Sequence, residues 1–139
     1  MAYEKVPEGL TDTFRASTGL KQYSPVMISG ANNLLIEATT EGNVIGVLIS
    51  SGTTGSTGRA GSTDSGSVQT VQYGGIAKVI AGTTTIDAGD LVKATTDGRC
   101  STASSTSYRF GIALGAVSST STSAQIIPVL LSPSYGNFA

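Results

Sequence analysis

Very few side chains in this sequence could do chemistry. Histidine is absent, which removes every His-dependent triad, every His metal site and the usual general base. Cys100 is the lone cysteine. It allows no intrachain disulfide and no Cys-cluster zinc site, and as a small apolar residue in a strand it reads as an inert thiol. Asp87 and Asp90 flank Ala88-Gly89 and have the spacing of calcium ligands, but carboxylates capping their own turn account for them better. Gly52-x-x-Gly55-x-x-Gly58 lacks the closing Lys-Ser/Thr pair that a phosphate loop uses to hold phosphate and metal, and it reads as a flexible loop. Asp64 has no nearby partner that would make it catalytic. A small enzyme would need a carboxylate pair or a Ser-Lys arrangement, and no spacing here supplies one. The sequence therefore predicts no enzyme, no cofactor and no bound metal.

The elements that carry these residues follow from composition. The 139 residues suit one domain. Ser, Thr and Gly make up about 40% of them and 39% are apolar, much of that in short β-branched runs. Thr fits a pleated surface and Gly and Ser fit tight turns, so the expectation is an all-β protein rather than a disordered one. Only 12% of residues are charged, with a net charge of -1. Nucleic acid is thereby disfavoured, because neutralising phosphates needs a basic excess. No apolar run reaches the roughly 20 residues that span a bilayer, and the first residues lack the pattern of a signal peptide, which predicts synthesis in a cytosol and no membrane partner. Scarce surface charge fits a surface covered in an assembly, and hydroxyl-rich exposure explains it equally well.

Residues 1–24 read as an irregular arm outside the core, carrying Lys5, Arg15 and Lys21 with Glu4, Glu8 and Asp12. A β domain spans 25–135, with a short tail at 136–139. Its expected strands begin at Val26-Met27-Ile28. Leu34–Thr39 and Val44–Ile49 read as a hairpin about Glu41-Gly42-Asn43. The Ser/Gly-rich tract 50–67 reads as a long loop. Val68–Tyr73, Ile76–Ala81 and Leu91–Thr95 follow, and the last turns at Asp97-Gly98 into a return strand at Arg99–Thr102. Gly111–Val117 and Ala124–Leu131 complete the set. Pro128 cannot donate to a ladder, so the last strand is expected at an edge or with a bulge. Eight to ten such strands predict a small β-barrel or β-sandwich of short antiparallel strands.

From Gly75 onward the order of motifs is distinctive. Gly75-Ile76-Ala77 leads to Ile86-Asp87-Ala88-Gly89-Asp90-Leu91-Val92, then Thr96-Asp97-Gly98-Arg99. Gly111-Ile112-Ala113-Leu114-Gly115-Ala116 follows, and Ile127-Pro128-Val129-Leu130-Leu131 closes the series. This resembles the capsid cement, or head decoration, proteins of tailed bacteriophages. The similarity covers residues 75–131; the tract at 50–67 and Gly115, where an acidic residue is usual, depart from the pattern. The resemblance implies a virion protein on the outer capsid surface, a homotrimer at local three-fold positions that bridges neighbouring major capsid proteins. It also implies that the turns Asp87–Asp90 and Asp97-Gly98 join adjacent strands, and that Gly111–Val117 and Gln125–Leu131 fill the centre of the sheet. Contact residues are expected among Tyr3, Phe14, Arg15 and Tyr23 of the arm and at Tyr108 and Arg109, since aromatics and arginine are enriched in interface cores. Phe14, Tyr108 and Phe110 read equally as core residues. Such an arm would order on a capsid surface or add a strand to a neighbour's sheet. The alternative is a phage tail-fibre or adhesin module binding host glycan, for which the absence of Trp and the 5 Tyr are poor equipment. A tube protein would share the β character.

Overall fold

The computed structural model describes residues 11–38, 43–50, 66–118 and 125–132. Every regular element among them is a strand, as composition predicts. There are ten: β1 (Thr11–Arg15), β2 (Pro25–Ile28), β3 (Leu35–Glu37), β4 (Gly46–Leu48), β5 (Val68–Gln72), β6 (Ile76–Ala81), β7 (Leu91–Ala94), β8 (Cys100–Thr102), β9 (Gly111–Ala113) and β10 (Gln125–Leu131). The first five form a sheet in the order β1-β5-β4-β2-β3, and the last five close a barrel in the order β10-β6-β8-β7-β9. The chain passes from sheet to barrel at Tyr73-Gly74-Gly75. Gln72 fixes that corner, its buried amide donating to the carbonyls of Gly74 and Ile76, each at 2.9 Å. Neighbouring strands are antiparallel except β6 and β8, which meet in parallel at the single pair Ala81 and Cys100.

Two cores explain why the strands are so apolar. The barrel interior packs Val79, Ile86, Val92, Phe110, Ala113, Ile127 and Val129, and Ala38, Val44 and Val47 of the sheet close one side of it. The far face of the sheet packs Val26, Leu35, Leu48 and Val71 under Ala16 and Leu20. Val47 and Leu48 thus serve opposite cores, which is why the Val44–Ile49 run shows no alternation. Tyr23 pins the two bodies together. Its N–H donates to the Leu48 carbonyl at 2.6 Å, and its own carbonyl accepts from Ile80 N–H at 3.1 Å.

Four expectations are corrected. Thr11–Arg15 is not irregular: it pairs along its whole length with β5, from Thr11 opposite Gln72 to Arg15 opposite Val68, and Ala16 and Leu20 behind it are fully buried. β3 and β4 form no hairpin, because β2 pairs with both and lies between them. The Asp87–Asp90 turn does not join neighbouring strands. It leads from the bridge between Ile86 and Val117 into β7, and β8 separates β6 from β7. β10 is not an edge; it pairs with β6 and β9 at once. Pro128 is tolerated because its carbonyl already accepts from Leu114 N–H at 2.8 Å, just past the end of β9. Its nitrogen therefore faces the place where that ladder stops. The Asp97-Gly98 hairpin between β7 and β8 stands as read.

Candidate interaction surfaces

The barrel exterior carries the most conspicuous surface. In β10 the inward residues Ile127, Val129 and Leu131 alternate with outward Ile126, Pro128 and Leu130. A strand with one wet face should place polar residues outward; this one places none there. The ladder registers carry the pattern across its neighbours. Leu130 lies opposite Ile76 of β6 and Ile112 of β9, and Ile112 lies opposite Leu91 of β7. The result is a cross-strand row, Leu91–Ile112–Leu130–Ile76, running over four of the five barrel strands. Ile76 is 58% exposed, Leu130 39% and Leu91 38%. A second row sits beside it, Leu114 next to Pro128 and Pro128 opposite Lys78. Gly115 keeps this row close, since a Cβ there would come within 3.0 Å of the Pro128 ring. Lys78 and Lys93 are the next outward residues along β6 and β7, so cations border an otherwise uncharged face.

A second surface lies on the far face of the sheet. Asp12, Phe14, Ile28, Ile45, Val71 and Tyr73 line an open depression of about 280 Å³. Phe14 is half-buried there against the sheet core. Along β1 the backbone groups of Ala16 bond toward β5, accepting from Gly66 N–H at 2.7 Å and donating to Ser67 at 2.9 Å. By strand alternation Asp12 and Phe14 do likewise, and those of Thr11, Thr13 and Arg15 point to the outer edge. The Thr13 N–H on that edge is held by its neighbour's carboxylate, Asp12 Oδ1, at 2.7 Å.

The residues expected to make contacts fall in separate places. Tyr3 lies outside the described residues, as do Asp64, most of the Ser/Gly tract and the 136–139 tail. Phe14 and exposed Arg15 lie on β1. Tyr23 is half-buried, in a left-handed conformation with φ 67°. Tyr108 and Arg109 are half-buried on the segment between β8 and β9, whereas Phe110 beside them is a core residue at 1% exposure. The described ones thus lie on different segments of the chain. Sequence reading passed over the barrel row, although its signal was present: Gln125–Leu131 is apolar at both parities.

The groups with catalytic potential have structural partners. Asp87 N–H donates to Asp90 Oδ2 at 2.9 Å, closing the turn they flank. Cys100 is buried, and that burial pushes its thiol up to about 12. Among the described residues no three His, Cys, Asp or Glu side chains converge on one point. What the described residues offer chemically is apolar contact area.

No family model matches the chain, and no curated protein matches it by sequence. Its fold is similar to a solved structure described as the head fiber gp8.5 N base in bacteriophage phi29, with a TM-score of 0.58 and 20% identity over 88% of this chain and 93% of that one. At that identity the similarity is one of fold.

Proposed function

We propose that this chain is a structural protein of a phage virion, seated on the outside of the head. There it bridges neighbouring major capsid proteins and performs no reaction. The observation that carries the reading is the row Leu91–Ile112–Leu130–Ile76, in which Leu91, Leu130 and Ile76 are exposed and Ile112 half-buried. Large apolar patches rimmed by polar residues mark interaction sites, and a chain with 12% charged residues has little else to keep such a face solvated. The fold shared with a phage head fiber base and the motif order from Gly75 to Leu131 point to the same setting.

The work of such a protein is binding. Three copies meeting around a local three-fold axis would hold several capsid subunits at once, and each contact after the first is intramolecular. Because the protein recognises the assembled lattice and not free subunits, occupancy stabilises the lattice by mass action. The barrel row supplies the apolar centre of these contacts. Lys78 and Lys93 supply part of their polar rim, and Arg15, Tyr108 and Arg109 are proposed as further contacts elsewhere on the molecule. Synthesis in the host cytosol suits this role, with the protein joining the head from outside.

The test is addition of purified protein to undecorated heads, followed by electron microscopy and heating. Added density at three-fold positions and a raised temperature of head rupture are the expected results. Heads that stay bare at saturating protein would refute the proposal.

A further inference from the structure

The depression on the far face of the sheet has a makeup that the barrel row lacks. Its floor is the fully buried Val71, and its walls are half-buried Phe14, Ile28 and Ile45 and exposed Tyr73. Phe14, Ile28 and Ile45 pack against the sheet core, which backs them. The ladders fix their places: Asp12 of β1 lies opposite Val71, and Ile45 N–H donates to the Val26 carbonyl of β2 at 2.9 Å. Asp12 is the one carboxylate among the lining side chains. Its Oδ1 accepts from Thr13 N–H at 2.7 Å, and Oδ2 takes no part in that bond. Arg15 is of opposite parity on β1 and stands on the other face.

The volume of about 280 Å³ lies near the lower end of small-molecule sites. An apolar cavity of about half that size accepts a benzene ring. A sugar does not suit these walls: only Asp12 and Tyr73 offer side-chain polar atoms, and its other hydroxyls would lose water without gaining partners. An anion would meet the Asp12 carboxylate. A neutral apolar molecule would leave that carboxylate beside it uncompensated. A cation on an apolar body answers both needs. Its body covers the aliphatic and aromatic walls, and its charge rests beside Asp12, where the rings of Phe14 and Tyr73 add to the attraction. We infer that this depression is a binding site for small organic cations, a protonated amine on an aromatic or branched aliphatic body. The site is separate from the barrel row and does not depend on any capsid role.

Phenethylammonium is the probe, titrated into the isotope-labelled full-length protein near neutral pH in low salt. Saturable shifts of the Phe14, Val71 and Tyr73 amide signals are expected. Phenethyl alcohol should bind about threefold more weakly and phenylpropionate about tenfold more weakly, the scale of contacts to an exposed carboxylate. N-acetyl-lysine amide, with the same charge on a thinner stem, should also bind more weakly, and N-acetylglucosamine should not bind. Asp12→Asn should bring phenethylammonium and the alcohol to equal affinity; Asp12 is exposed, so the fold should stay. Added salt should shrink the same preference in wild type, a check that needs no variant. Absence of saturable shifts, shifts confined to the barrel, or a charge preference indifferent to salt would each overturn the assignment. So would tighter binding of the lysine derivative or of the sugar, which would make a partner's side chain or a glycan the occupant.

Discussion

Replacing Ile76, Leu91 and Leu130 together by Thr strips the barrel row of its apolar area and keeps its β preference. These three side chains are 58%, 38% and 39% exposed, which amounts to between one and one and a half fully exposed large aliphatic groups. Covering a whole group is worth about 1.5–3 kcal/mol, so covering this set contributes about 2–4 kcal/mol per copy. At about 1.4 kcal/mol per tenfold, the variant should bind its partner surface about 30- to 700-fold more weakly. Folding itself should change by no more than about 0.5 kcal/mol, as usual for surface substitutions. Titration of undecorated heads reads the binding, sedimentation velocity reads self-association, and urea melts read the fold. A triple variant that folds normally and still saturates heads at the wild-type concentration would refute the reasoning. An unfolded variant would show instead that the row holds the barrel closed.

Phe110→Ala should cost about 3–5 kcal/mol, because Phe110 is among the largest fully buried side chains and lies in the barrel core; a urea midpoint shift at constant slope measures it. The Cys100 thiol should resist an aromatic disulfide reagent at pH 8 until the protein unfolds. Its folded pKa of about 12 lies above its ordinary value of 9.0. The stability this shift contributes is therefore complete below the unfolded value and is lost as pH rises from there toward the folded one. In that window wild type should lose up to about 1.4 kcal/mol per pH unit relative to Cys100→Ala. Gly98→Ala should destabilise by at least about 1–2 kcal/mol, since Gly98 has φ 71° and an added Cβ would collide with the Glu37 carboxylate. Adding Glu37→Ala should recover the part due to collision and leave the backbone part, as thermal melts of the pair would show.

Local chemistry was legible wherever it was decided locally. The hairpin at Asp97-Gly98, the break at Gly74-Gly75 and the β-branched strands all follow from turn residues and side-chain shape. Sheet order was not, because Leu35–Glu37 and Gly46–Leu48 are neighbours in sequence but take Pro25–Ile28 between them. Nothing in the turn chemistry of Glu41-Gly42-Asn43 forbids that. Thr11–Arg15 escaped notice because four of its five residues are exposed, so it has no apolar alternation to show; pairing with β5 makes it a strand. Pro128 misled because a missing donor usually marks an edge, and here it falls where a neighbour ends. The barrel row was written in Ile126, Pro128 and Leu130, but a run apolar at both parities reads first as burial on both sides.

The barrel ring is unevenly fastened. β6 and β10 share six paired positions, whereas β6 and β8 touch at one. The row Leu91–Ile112–Leu130–Ile76 crosses every strand except β8. A partner seated on it would therefore clamp β7, β9, β10 and β6 as a unit and leave the weak seam outside the clamp. Strain transmitted through such a partner would then be taken up by slight parting at Ala81 and Cys100, with the gripping face undeformed, much as an expansion joint spares the wall it divides.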